Sequence, residues 1–206
     1  RPRANGINAI TIREDDHLLS AKLTNGKNEV LMALRSGRAI RFNESKVRPM
    51  GRNAAGVRGI TLSGSQDEVV GMICVENGDF DVLVVSENGY GKRSKLEDYR
   101  VTNRGGKGVK TINITPKTGQ LISIDNVTDD NDLMIINRSG LIIRMAVKDL
   151  RVMGRATQGV RLINLRDDDA IAAVTKVAVE EDEEPIIVDE NISLSDENIA
   201  ENQIGE

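Results

Sequence analysis

The chain has 206 residues, 39% of them hydrophobic and only 2% aromatic, with no Trp and a single Cys. That is enough apolar material for a sizeable core. One thiol excludes an internal disulfide framework, and the shortage of flat rings argues against aromatic platforms for single strands. The formal charge of −4 hides an asymmetry, because 11 of the 32 acidic residues and none of the 28 basic ones lie in 179–206. Residues 1–178 therefore carry 28 basic against 21 acidic residues, a basic body suited to a polyanionic partner.

Taken in chain order, the first element is a worn phrase, Ala4-Asn5-Gly6-Ile7-Asn8-Ala9-Ile10. The acidic stretch Glu14-Asp15-Asp16-His17 follows, and a lone His among acids reads as a surface residue rather than a base or ligand. Next comes an apolar run entered through an acid, Glu29-Val30-Leu31-Met32, and then Ser36-Gly37-Arg38-Ala39-Ile40-Arg41. The opening phrase now returns in full as Arg48-Pro49-Met50-Gly51-Arg52-Asn53-Ala54-Ala55-Gly56-Val57-Arg58-Gly59-Ile60. The same succession recurs twice more. Asp81-Val82-Leu83-Val84, Asn88-Gly89-Tyr90-Gly91-Lys92-Arg93 and the phrase Arg100–Ile112 make the second copy; Asp132-Leu133-Met134-Ile135, Ser139-Gly140-Leu141-Ile142-Ile143-Arg144 and Arg151–Ile163 make the third.

The reference glycines stand at 6, 56, 108 and 159, and a second set at 37, 89 and 140 keeps the same interval of about 50 residues. Two markers in phase define a repeat. The second unit reads as four strands near Val57–Leu62, Val69–Val75, Val82–Ser86 and Gly91–Ser94, separated by turns such as Asn77-Gly78 and Asn88-Gly89. No sustained helical periodicity occurs in 1–178. The expected fold is all-β: a propeller-like stack of four-stranded antiparallel blades, with repeats near 7–56, 57–108, 109–159 and a partial 160–178. Cys74, inside Val69–Val75, is expected to be a buried core thiol. The acidic segment 179–206 has no core-forming pattern and is expected to be disordered, competing with the body's polyanionic partner.

The cations follow the repeat. Arg48, Arg100 and Arg151 share one position, Arg52, Arg104 and Arg155 a second, Arg58, Lys110 and Arg161 a third, and Arg41, Arg93 and Arg144 a fourth. Radial stacking puts equivalent positions on equivalent points of each blade, so these charges predict a cationic stripe around a rim. Such a stripe neutralises phosphates with little sequence preference. Lys92 and Lys107 extend the set, and Gly105, Gly106 and Gly108 are expected to let backbone amides approach phosphate. The fourth position lies in or beside a strand, and could instead pair with acids of the same blade. No Cys/His cluster or phosphate-loop pattern is present; Asp129-Asp130 and Asp167-Asp168-Asp169 fall in expected turns. No apolar run is long enough to span a bilayer, so no membrane partner and a cytoplasmic location are expected. The opening Arg1-Pro2 reads as part of something longer.

The phrases Val47–Ile60, Ser86–Ser94 and Tyr99–Val109 closely resemble the DNA-wrapping C-terminal domain of the A subunit of bacterial DNA gyrase, over about 1–178. The resemblance implies a β-pinwheel whose neighbouring blades exchange a strand. It implies duplex DNA wrapped around a basic rim, so that the holoenzyme introduces negative supercoils using ATP. The implied partners are duplex DNA, the remainder of the gyrase A subunit, and the gyrase B subunit in a heterotetramer. No cofactor is expected in this segment; ATP and Mg belong to the holoenzyme. The family usually has about six blades and a Gln-led glycine box, whereas Asn103–Gly108 lacks the Gln. Tyr90 and Tyr99 match repeat positions rather than the family's DNA-cleaving tyrosine, so no DNA cleavage by this chain is expected. The competing readings are the C-terminal domain of topoisomerase IV and a protein-interaction propeller.

Overall fold

A computed structural model describes residues 4–76, 78–166 and 168–178; the acidic segment 179–206, expected above to be disordered, lies outside them. Eleven strands form three antiparallel sheets. The first hairpin is β1 (Glu29–Leu34) and β2 (Arg38–Asn43), and β3 (Val69–Val75) pairs with β1. The second hairpin is β4 (Asp81–Ser86) and β5 (Tyr90–Lys95). The chain then goes back: β6 (Val109–Lys110) pairs with β2 of the first sheet, and β7 (Leu121–Val127) returns to β4 of the second. The third hairpin, β8 (Asn131–Asn137) and β9 (Ile142–Ala146), is followed by β10 (Val160–Arg161), which pairs with β5, and β11 (Ile171–Ala178), which pairs with β8.

Strands are therefore handed back to the preceding sheet. This corrects the grouping expected from the sequence, in which the strands between two reference glycines make one sheet. Each of the first two blades instead takes its hairpin from one repeat, one flank from the next repeat and its last, two-residue strand from the repeat after that. Val160 and Ala170 onward do not begin a fourth sheet; β10 and β11 complete the second and third. Residues 57–62 form no strand. Their counterparts β6 and β10 need the edge of a preceding hairpin, and the described residues of 4–25 offer none.

Alternation explains the stacking. On β4, Val82 and Val84 join Leu31, Ala33, Ile73, Leu121 and Ile124 in the core between the first and second sheets. Leu83 and Val85 on its other face join Leu133, Val147 and Leu150 between the second and third. A strand buried on both faces carries a continuous apolar run rather than an alternating one, and all six residues of β4 are buried. Tyr99 is a core residue at 1% exposure. Its hydroxyl shares a hydrogen bond with Thr111 Oγ1 at 2.5 Å, and burial pushes its pKa up to about 12. Cys74 is half-buried rather than buried, packed beside Val30, Leu34 and Phe42, and burial raises its thiol pKa.

Candidate nucleic-acid interface

Each hairpin leaves its second strand through a single 3-10 turn, at 44–46, 96–98 and 147–149, and enters one of the phased loops, 48–61, 100–113 and 151–164. These loops are tied to one another by the same bonds at the same positions. Thr11 N–H donates to Ala54 O (3.3 Å), Thr61 N–H to Gly106 O (2.9 Å), and Asn113 N–H to Thr157 O (3.0 Å). Thr11 Oγ1 donates to Asn53 O (2.9 Å), and Thr61 Oγ1 to Gly105 O (2.6 Å). Each loop is thus bonded to the phased segment before it at equivalent positions.

The cations of the four repeat positions differ in what holds them. Arg48, Arg100 and Arg151 are exposed, as are Arg52, Arg58 and Lys107; no side-chain bond to another described residue holds any of the six. Arg104 donates from Nε to Lys46 O (2.9 Å) and from Nη1 to Arg58 O (3.1 Å). Arg155 Nη1 donates likewise to Lys110 O (2.8 Å). Arg104 and Arg155 therefore anchor a loop on its predecessor with part of their guanidinium, whereas Arg52 at the same repeat position does not. At the third position, Lys110 donates to Asn113 Oδ1 (3.2 Å) and Arg161 to Asn164 Oδ1 (3.0 Å). Both cations stay exposed. Arg161 also donates to the Tyr90 hydroxyl (2.9 Å from Nη2) and, with Lys117, lies 5.5 Å from its ring centre. The Arg161 hydrogen bond is the main cause that lowers the Tyr90 pKa.

At the fourth position Arg41 and Arg93 face inward, whereas Arg144 stays exposed. Arg41 pairs with Glu29 (2.5 Å) and donates to Leu96 O (2.9 Å) and Tyr99 O (3.1 Å), clamping the chain where it crosses back between sheets. Arg93, 8% exposed, does the same: it pairs with Asp81 (3.6 Å) and Asp129 and donates to Leu150 O. Arg144 pairs with Asp132 (2.6 Å) on its own hairpin. The backbone crosses at these clamps, with Thr102 N–H on Arg41 O and Met153 N–H on Arg93 O, both 2.8 Å.

Two sequence expectations need correction. Lys92 is fully buried at 0% exposure, with Nζ donating to Gly154 O (2.6 Å) and Thr157 Oγ1 (3.1 Å). It offers no exposed ammonium to a ligand, and burial pushes its pKa down to about 8. The glycines of Asn103–Gly108 do not all free amides for an anion. Gly105 N–H is used on Gly59 O (2.5 Å). Gly108 has φ +68°, and a Cβ there would run into Ala39 O, so it allows the loop to close on β2. Sequence reasoning missed Arg38, which donates to Lys107 O (2.8 Å) and Gly108 O (2.9 Å) and holds the end of that loop. Tyr90 and Leu141 stand at its repeat position, so no phase marked it. His17 is exposed, and the described residues include no group of three or more His, Cys, Asp or Glu that could hold a metal ion. No helix among them is long and apolar enough to cross a membrane.

Stacked sheets that return a strand to the preceding sheet, with phased cations on the linkers, define a propeller-like repeat protein. The chain matches the family model described as DNA gyrase C-terminal domain, beta-propeller, over residues 1–25, 28–76, 81–128 and 131–178. It belongs to that family. The last three blocks begin within a few residues of β1, β4 and β8, so the family's unit starts at each hairpin. The chain is 50% identical over 185 residues to the A subunit of DNA gyrase from Staphylococcus aureus (strain MRSA252), covering 89% of this chain and 21% of that protein. It therefore spans about a fifth of the length of the curated relatives it matches. Among solved structures, the C-terminal domain of DNA topoisomerase IV aligns with TM-score 0.77 at 24% identity, over 82% of this chain and 53% of that one. A DNA gyrase A C-terminal domain aligns with TM-score 0.75 at 26% identity, over 84% and 58%.

Proposed function

We propose that the chain binds duplex DNA along its rim and bends it from blade to blade, as the wrapping element of a gyrase. The observation that supports this most is the repeated loop-to-loop bonding, because it joins the loops that carry the phased cations at equivalent positions. Arg48, Arg52, Arg58, Arg100, Lys107 and Arg151 are the principal phosphate contacts, with Lys110, Arg161 and the free parts of Arg104 and Arg155 assisting. Arg41, Lys92 and Arg93 drop out of the contact set, because their charged groups are half-buried or buried and held by the protein; Arg144, paired with Asp132 through Nε but exposed, joins the assisting cations. Cleavage, ATP hydrolysis with Mg, and assembly with the rest of the gyrase A subunit or with the B subunit belong to a cytoplasmic holoenzyme acting on the bacterial chromosome.

The test is affinity against salt concentration for a duplex of about 40 base pairs and for a longer one. A steep loss with salt, together with tighter binding to the longer duplex, supports wrapping. Equal affinity for the two lengths favours a topoisomerase IV-like domain that binds without wrapping as far. Salt-insensitive binding removes the rim altogether and favours a protein-interaction propeller. The acidic segment 179–206 enters as a tethered competitor at high effective concentration. Truncation after Val179 is expected to tighten DNA binding at low salt, and unchanged affinity would remove that role.

A further inference from the structure

Lys92 is a cation placed where this fold otherwise uses a hydrocarbon. Counted from the hairpin glycines, its counterparts are Ile40, 2% exposed, and Ile143, half-buried. Ile40 supports the glycine-rich loop from below, with its Cδ1 3.5 Å from where a Cβ of Gly106 would stand. Lys92 occupies the same place beneath the next loop, but ends in an ammonium. Burying that charge carries a desolvation penalty that an isoleucine would avoid, so packing alone does not account for it.

The target of the ammonium is specific. Gly154 O, which Lys92 reaches at 2.6 Å, also accepts from Thr157 N–H (3.2 Å) and Thr157 Oγ1 (2.9 Å). Lys92 thus closes a tight turn, Gly154–Thr157, from inside the protein. The same turn is held at its far end by Asn113 N–H on Thr157 O, and on its flank by Arg155 on Lys110 O. The two loops also divide their charge differently. The loop 103–108 has Arg104 and an exposed Lys107 above Ile40. The loop 154–159 has Arg155 and, at the position of Lys107, a neutral Gln158 bonded to Thr115 (2.8 Å), above Lys92. The second cation is on the surface in one loop and under it in the other.

We propose that Lys92 is a positioning residue for DNA binding: its buried ammonium fixes the Gly154–Thr157 turn so that Arg155 is presented to the duplex backbone. This rests on the rim reading above. Lys92 does not touch DNA; it acts through the turn, and its positive charge beneath Arg155 adds to the attraction for phosphate.

The experiment is a double-mutant cycle in the 206-residue chain, Lys92→Ile with Arg155→Ala, with affinity for a duplex of about 40 base pairs read at fixed salt and folding read by thermal melting. Lys92→Ile installs the residue that the first blade carries, and is expected to melt at or above the wild-type temperature. It is expected to bind DNA about 3- to 10-fold more weakly, and the double variant no more weakly than the weaker single one. Losses that multiply independently would overturn the proposal, as would wild-type affinity in Lys92→Ile. Should Lys92→Ile not fold, Lys92→Met, with an unbranched apolar chain, takes its place in the cycle; if it too fails to fold, Lys92 is structural and the proposal falls. A wild-type chain without salt-dependent binding would instead overturn the rim reading, and this proposal with it.

Discussion

Arg93 and Arg144 occupy the same repeat position, four residues after a hairpin glycine, and do different work. Arg93 lies between two sheets, 8% exposed, against Asp81, Asp129 and the Leu150 carbonyl. Arg144 lies on the third hairpin, with its side chain 54% exposed and only Asp132 beside it. The second sheet receives β10 from a later repeat, whereas the third sheet has three described strands, and β9 lies at its edge. The arginine's sequence position is constant; its energetic role depends on whether the next segment crosses it.

Substitution is expected to break this equivalence. Arg93→Ala leaves Asp81, itself 5% exposed, with only Lys95 at 3.0 Å, and releases the crossing chain. A loss of roughly 3–5 kcal/mol is expected for breaking such a buried pair, measured by chemical denaturation. Gly108→Ala should come next, at about 2 kcal/mol or more, since it combines a left-handed φ with a Cβ driven into Ala39 O. Gly56→Ala, at a counterpart with similar φ but open space, should cost less and isolates the contact from the backbone strain. Arg144→Ala should cost under about 1 kcal/mol, as exposed pairs do. Equal losses for Arg93 and Arg144 would show that the crossing adds nothing to the ion pair.

The same contrast shows how much was legible beforehand. The phase of the repeat, the hairpins and the rim loops could be read from glycines and arginines, because turns and cations recur at fixed intervals. The pairing of ion-pair arginines with Glu29, Asp81 and Asp132 was also within reach, since each acid stands first or second in the strand paired with that of its arginine. The exchange of strands was implied by the family resemblance but was not legible in the residue pattern itself. A two-residue strand such as β6 has no periodicity of its own, and its partner β2 lies about 70 residues back. Nor was the burial of Lys92, because residue type points a lysine to solvent. The available signal was the isoleucine at the matching position in the other two copies, and it was outweighed by the neighbouring arginine.

The smallest effect on stability, and the sharpest on the rim, belongs to Lys107 in the loop 103–108. Lys107 is exposed and unbonded to any described side chain, while Arg104 spends two of its donors on Lys46 O and Arg58 O. Lys107→Ala should leave the melting temperature unchanged, weaken binding to all duplex sequences about equally, and lower the salt slope by about one unit. Arg104→Ala should do the same to the slope but also lower stability by about 1 kcal/mol, because two carbonyls lose their donor. If Arg104→Ala lowers stability and leaves the slope intact, the second repeat position is an anchor alone. The line of phosphate contacts would then run through the first and third positions, with Lys107 as the only cation of its loop's tip that meets DNA.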